Sequence, residues 1–267
     1  MISRLNRPGP SDTEAPRTLA ELRVAVVAGS AHLDSIRRVC SAVDVIEQDW
    51  SSSGQMGPPH VLLIESSGLR RRPSGGGSLA DDKVERAAEL IAWAEREGAS
   101  TALWETALSR RIMTPTMLTR MVGNVFVADP EAVEVLTERL GGRRPLQLPL
   151  AAQIVPEKAP GFPDRAHKII FLGRWPAGFS GRLKEELEAI LDAAAEHGLV
   201  VLQSERDSGK TGLPERFSTF VKPVASAAEA VEAFADSRVV IGFDPGNNGR
   251  LFLPQVTLEA LAAGSAV

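Results

Sequence analysis

Residues 167–175 read HKIIFLGRW. The apolar run IIFL, bounded by His167-Lys168 and Gly173, has the length and composition of a buried strand. Gly173 lets the backbone turn, and Arg174 stands just past the strand's carboxyl end. In open α/β sheets ligands bind at that edge. A helix is expected next. Ser180 suits its N-cap, Leu183, Leu187, Ile190, Leu191 and Ala194 form one apolar stripe, and Gly198 closes it. Strands at 199–203 and 238–243 then alternate with helices at 225–235 and 258–263, the last ending at Gly264. Such alternation predicts a parallel sheet flanked by helices. Ser265-Ala266-Val267 reads as one more strand beginning, so this sheet is expected to be incomplete at its C-terminus, as in a truncated protein.

Towards the N-terminus the same alternation occurs once more. Strands are expected at 22–28 (LRVAVVA), 43–47, 60–65 (HVLLIE), 100–104, 125–128 and 145–148. Helices are expected from Gly29-Ser30 to about residue 42, and at 79–97, 110–121 and 130–140. In the longest of these Val84, Ala87, Ala88, Ile91 and Ala94 recur at helical spacing before Gly98. Residues 151–166 break the pattern with Pro156, Pro160 and Pro163, the composition of a linker. The expected fold is therefore α/β with two Rossmann-like domains, the second incomplete. Residues 1–18 form a disordered tail, 19–152 the first domain, 153–166 the linker and 167–267 the second domain.

Composition narrows the function. The chain has 267 residues, 43% hydrophobic and 24% charged, which suits an ordinary globular protein. A net charge of −4 supplies no global field for nucleic acid or an anionic membrane. The run Arg70-Arg71-Arg72 reads as a solvated loop. Cys40 is the single cysteine, so no disulfide forms within the chain and a cysteine-based zinc site is disfavoured. With no secretory signal and no apolar run of membrane-spanning length, a cytoplasmic protein is expected.

Several motifs invite a chemical reading. Gly29 stands alone in the first strand–helix turn, without the further glycines that grip a dinucleotide pyrophosphate. Gly29-Ser30 is either a backbone lip over a substrate or a tight turn, and His32 just beyond is either a base or an ordinary polar residue. Residues 204–211 (SERDSGKT) end like a phosphate loop, but Ser204 replaces the first glycine and Pro214 hinders the helix that should follow. Arg174 with Arg182 and Lys184, near a helix N-terminus, suits a diphosphate. Gly246-Asn247-Asn248-Gly249-Arg250 is a polar loop at the same sheet edge. Glu259 is the one acid in the run TLEALAAG at 257–264, where a carboxylate could accept two hydroxyl hydrogens.

FLGRW at 171–175, a basic helix start, a strand ending near Asp244 and LEALAAGSAV at 258–267 resemble the C-terminal half of GT-B glycosyltransferases. More narrowly, the chain is similar to the bacterial glycosyltransferase-like group named for a spore-maturation protein. ALWE at 102–105, NVFVAD at 124–129 and LQLPLAAQ at 146–153 follow that group's order. The resemblance implies a nucleotide-diphosphate-sugar donor on the second half and a glycan or small-molecule acceptor on the first. It places Gly173, Arg174 and Lys184 at the donor diphosphate and Glu259 at the ribose hydroxyls, and the polar loop at the same edge adds Asn247 and Asn248 as donor-binding candidates unless turn chemistry alone explains them. No metal or other cofactor is expected, since GT-B enzymes stabilise the leaving diphosphate with basic side chains and helix dipoles. The acid after the tryptophan strand is Glu105, a second catalytic candidate beside His32. Leu251 replaces the second glutamate found in many retaining members, and Gln255-Val256 stand where the narrower group has an arginine. These departures keep a rival open: a non-catalytic GT-B-like scaffold that binds a sugar nucleotide or a partner protein.

Overall fold

The computed structural model describes residues 16–46, 48–54, 57–70, 80–109, 112–152, 161, 164–172, 181–204, 212–242 and 255–267. The first sheet begins with β1 (Arg23–Val27), which leads through α1 (Ser30–Arg37) to β2 (Ser41–Asp44). It continues with β3 (Val61–Glu65), α2 (Asp81–Arg96), β4 (Ser100–Glu105), α3 (Thr116–Met121), β5 (Asn124–Val127), α4 (Ala132–Arg139) and β6 (Leu146–Gln147). All pairings are parallel, in the order β2-β1-β3-β4-β5-β6. The order reverses between β1 and β3. The chain leaves β1 outward to β2, then crosses back to β3 on the other side.

Alternation along each strand sends successive side chains to opposite faces. On one face Ala25, Val27, Leu62, Ile64, Leu103, Val125 and Val127 meet Leu90 and Ile91 of α2, Leu118 of α3 and Leu136 of α4 in the largest core. On the other, Val24, Val26 and Leu33 form a smaller core with Ile36, Val61 and Leu63, under α1.

The second sheet comprises β7 (His167–Leu172), β8 (Leu199–Ser204), β9 (Val221–Val224) and β10 (Ser237–Ile241), in the order β10-β7-β8-β9 and again parallel. Its helices are α5 (Gly181–Ala195), α6 (Ala227–Ala235) and α7 (Gln255–Ala262). The strand expected to begin at the C-terminus is present as a single parallel bridge between Val239 and Ala266.

Element bounds differ from expectation in instructive places. The first helix stops at Arg37, short of residue 42, because Ser41–Asp44 pair with β1 and Val43 enters the core. Helix α3 starts at Thr116, since Pro115 sits in extended backbone as its N-cap and the Thr114 hydroxyl is bound elsewhere. Strand β9 was unexpected, as its sequence VKPV carries Pro223. An edge strand tolerates proline, which has no N–H for the ladder.

Arg165, expected in the linker, is instead buried in the second sheet's own framework. Its guanidinium donates to the carbonyls of Ser237 (2.6 Å) and Ala263 (3.1 Å) and to Ser265 Oγ (3.3 Å). Contacts among the described residues tie the sheets together. Helix α1 packs on α6, and Gln255 Nε2 of α7 donates to the Ala151 carbonyl beyond β6 (2.9 Å). Among the described residues no helix is long and apolar enough to cross a membrane.

Candidate active site at the switch point of the first sheet

In open parallel sheets ligands bind outside the carboxyl ends of the strands where strand order reverses, between the loops after the two flanking strands. Here these are Ala28-Gly29 after β1 and Ser66-Ser67-Gly68 after β3. Gly68 makes their close approach possible. A Cβ there would lie 2.7 Å from the Ala28 nitrogen, so only glycine fits.

Glu65, the last residue of β3, is fully buried beneath these two loops. Its carboxylate accepts from the backbone N–H of Gly29 (3.1 Å) and Ser67 (2.9 Å), and from the hydroxyls of Ser67 and Thr106. His32 Nδ1 lies 3.3 Å from Glu65 Oε2. Burial alone would raise this carboxyl's pKa. The bond to His32, its positive charge and the two hydroxyls outweigh burial and hold the pKa at about 2. Glu65 is therefore an anion at any ordinary pH.

His32 stands in the first turn of α1. Its ring lies 5.2 Å from that of Trp104 at 53°. Burial draws its pKa down, but the hydrogen bond and charge of Glu65, with the charge of Glu259, carry it above 6.5. Its Nε2 is buried and has no hydrogen-bond partner among the described residues. With Nδ1–H held by Glu65, the neutral ring carries its lone pair on Nε2. A carboxylate-oriented imidazole with a free nitrogen is the arrangement of a general base.

Glu259 reaches this site from the second sheet. It lies one turn into α7, buried, and its Oε1 accepts from Gln255 Nε2 (2.8 Å). Burial raises its pKa, against the Gln255 bond and the His32 charge. Gln255 Oε1 is also buried without a partner among the described residues. Among the described residues two buried acceptors, His32 Nε2 and Gln255 Oε1, thus lack partners, and a carboxyl with a raised pKa is coupled to the first of them.

The other candidates fare differently. Glu105 points to the opposite face of β4 from Trp104. There it staples its own loop, accepting from Ala107 N–H (2.9 Å) and Thr114 Oγ1 (2.6 Å). Lys184 is half-buried in the first turn of α5, and neighbouring Arg182 pairs with Glu186 (2.9 Å) on the exposed helix surface. Gly173, Arg174, Asn247 and Asn248, like the loop 205–211, lie outside the described residues. Among the described residues no group of three or more His, Cys, Asp or Glu side chains could hold a metal.

Sequence reading missed Glu65, Thr106 and Gln255. HVLLIE followed by Ser-Ser-Gly did signal a strand ending in an acid and a turn. What it lacked was the strand order that sets β3 beside β1.

No family model matches the chain, and no curated protein sequence does. Among solved structures, the fold matches an alpha-glucosyltransferase in complex with UDP and a 13-mer DNA containing a central A:G mismatch. The TM-score is 0.51 at 12% identity, over 86% of this chain. This chain spans 64% of the length of that one. The fold class is thus a mixed α/β arrangement of parallel, Rossmann-like sheets.

Proposed function

We propose that the protein is a glycosyltransferase. A nucleotide-diphosphate sugar would sit on the second sheet and an acceptor hydroxyl on the first, with residues 19–152 and 167–267 as the two working units. The observation that carries this reading is the His32–Glu65 pair at the switch point, with an Nε2 unpartnered among the described residues and a charge coupling to Glu259 of the second unit. The structural likeness to a UDP-bound glucosyltransferase supports it at the level of fold.

In this reading the acceptor O–H is deprotonated by His32 Nε2 as its oxygen attacks the anomeric carbon. The bond from that carbon to the diphosphate oxygen breaks, and the electron pair leaves with the diphosphate. Glu65 holds Nδ1–H and stabilises the imidazolium that forms. Glu259 and Gln255 would receive the donor's ribose hydroxyls, and Gly173, Arg174 and Lys184 its diphosphate. A net charge of −4 argues against a polyanionic acceptor such as DNA.

Thermal stability with UDP, GDP, ADP, TDP and their sugars tests this directly. A ligand at 100 times its dissociation constant adds about 2.7 kcal/mol to the folded state, a readily seen shift. One diphosphate and its sugar should stabilise the protein, and Glu259→Gln should weaken that shift. A folded protein that no nucleotide stabilises would favour the non-catalytic scaffold.

A further inference from the structure

Helices α2, α3 and α4 all pack on the face that carries the largest core of the first sheet. The opposite face is covered by α1 over β1, β2 and β3, where its apolar cluster ends at Val61 and Leu63. Among the described residues no buried apolar cluster forms on that face over β4, β5 and β6. Yet the side chains presented there are large and apolar. Trp104 pairs with Phe126, and Phe126 with Leu146, in strict register across three neighbouring strands. Trp104 and Phe126 are half-buried, Leu146 is 59% exposed, and Leu148 beyond it is 43% exposed.

This row starts at the catalytic pair. Glu65 is the register partner of Trp104 on β3, and the Trp104 ring stacks at a tilt against His32. Its indole N–H is bound to the Leu148 carbonyl (2.8 Å), which fixes the ring against the chain leaving β6. Strands lie roughly 4.8 Å apart, so the row runs about 10 Å from Trp104 to Leu146. That is the span of two or three fused rings. Among the described residues of the row's own strands, Asn124 Nδ2 reaches the Thr101 carbonyl (3.4 Å) and Glu65 is saturated by its own loops, while the unpartnered His32 Nε2 and Gln255 Oε1 belong to the helices α1 and α7. A glycan laid here would find stacking surface without partners for most of its hydroxyls, and unpaired hydroxyls lose affinity.

We infer that the acceptor is a flat apolar molecule bearing a hydroxyl, a phenol or comparable alcohol, whose body lies on Trp104, Phe126 and Leu146 and whose hydroxyl meets His32 Nε2. The inference rests on the glycosyltransferase reading for the fate of the hydroxyl, but the binding itself needs no donor. The apolar row supplies affinity in proportion to the area it covers, and the buried imidazole supplies orientation.

The test uses the full chain without nucleotide, with 2-naphthol as probe and maltotetraose as polar competitor, followed by tryptophan fluorescence and equilibrium dialysis. Leu146→Asp changes an exposed side chain, and its fold is checked by circular dichroism. The expected result is saturable naphthol binding, weakened at least fivefold in Leu146→Asp and in Trp104→Leu, and not displaced by maltotetraose. Naphthol binding that is absent, indifferent to Leu146→Asp or displaced by maltotetraose overturns the inference. So does a wild-type dimer, seen by sedimentation, that Leu146→Asp dissolves, because a second copy then covers the row. UDP binding is measured separately, so loss of the donor reading and loss of this one are distinguished.

Discussion

At the scale of the residue, Glu65 and His32 are coupled through one hydrogen bond and opposite charges, and pH separates their contributions. Glu65 is held at about 2, well below 4.5, so its stabilising effect is complete above about pH 4.5 and is lost as pH falls towards 2. His32 is raised above 6.5, so its share is complete below pH 6.5 and is lost as pH rises through the raised value. The stability difference between wild type and His32→Gln should therefore shrink as pH climbs through that value, which urea melts at a series of pH values will read. The same residue sets the rate. A base must be neutral to act, so turnover should rise with pH through the His32 pKa. In Glu65→Gln, among the described residues, the Glu259 charge alone opposes the effect of burial on His32. The His32 pKa, followed by NMR of the imidazole, should drop relative to wild type, and the ascending limb of the rate profile should move to lower pH with it. An unmoved His32 titration in Glu65→Gln would show that the pair is not coupled.

At the scale of the element, the switch-point site depends on how closely the turn after β3 approaches the end of β1. Gly68→Ala places a Cβ 2.7 Å from the Ala28 nitrogen and 2.9 Å from the Val27 carbonyl carbon, both backbone atoms that cannot swing aside. Overpacking of this kind costs about 1–3 kcal/mol, so the variant should melt several degrees lower and lose activity beyond what its stability explains. An unchanged melting temperature would mean the turn has room the structure denies. This scale also shows what was legible in the sequence. Strands β1, β3, β7 and β8 are continuous apolar runs and were readable to within a residue or two. Strand β9 was not, because proline speaks against a strand unless one knows the strand is at an edge. The early end of α1 was hidden too, since Val39 to Ala42 fit a helix locally and only pairing with β1 draws Ser41–Asp44 into the sheet.

At the scale of the whole molecule, the candidate site draws on both sheets, and sequence reading could name its parts without assembling them. His32 and Glu259 were both singled out, each for a different reason. Their electrostatic coupling arises because α1 packs on α6, which in turn packs on α7. Glu65 escaped notice because its role comes from parallel order, a long-range property with no local signature. Glu105 drew notice for its position after the tryptophan strand, but its side chain serves the loop to Thr114. The second sheet depends in turn on Arg165. Arg165→Ala removes charged donors from the Ser237 and Ala263 carbonyls and leaves both buried. Hydrogen bonds from charged groups are worth about 1.5–3 kcal/mol each, so this change should destabilise the fold by at least about 2 kcal/mol in a denaturant melt. If Arg165 were only part of a linker, the melt would not move.

The most direct test of the account compares wild type and His32→Gln for release of nucleoside diphosphate from the donor sugar that best stabilises the protein. Affinity for that diphosphate is measured in parallel by calorimetry. General-base catalysis contributes about 10²–10⁴-fold. If His32 is the base, turnover falls by at least about 10²-fold with diphosphate affinity unchanged. Equal turnover in the two proteins, or a wild type that binds the diphosphate and never turns the donor over, would contradict it.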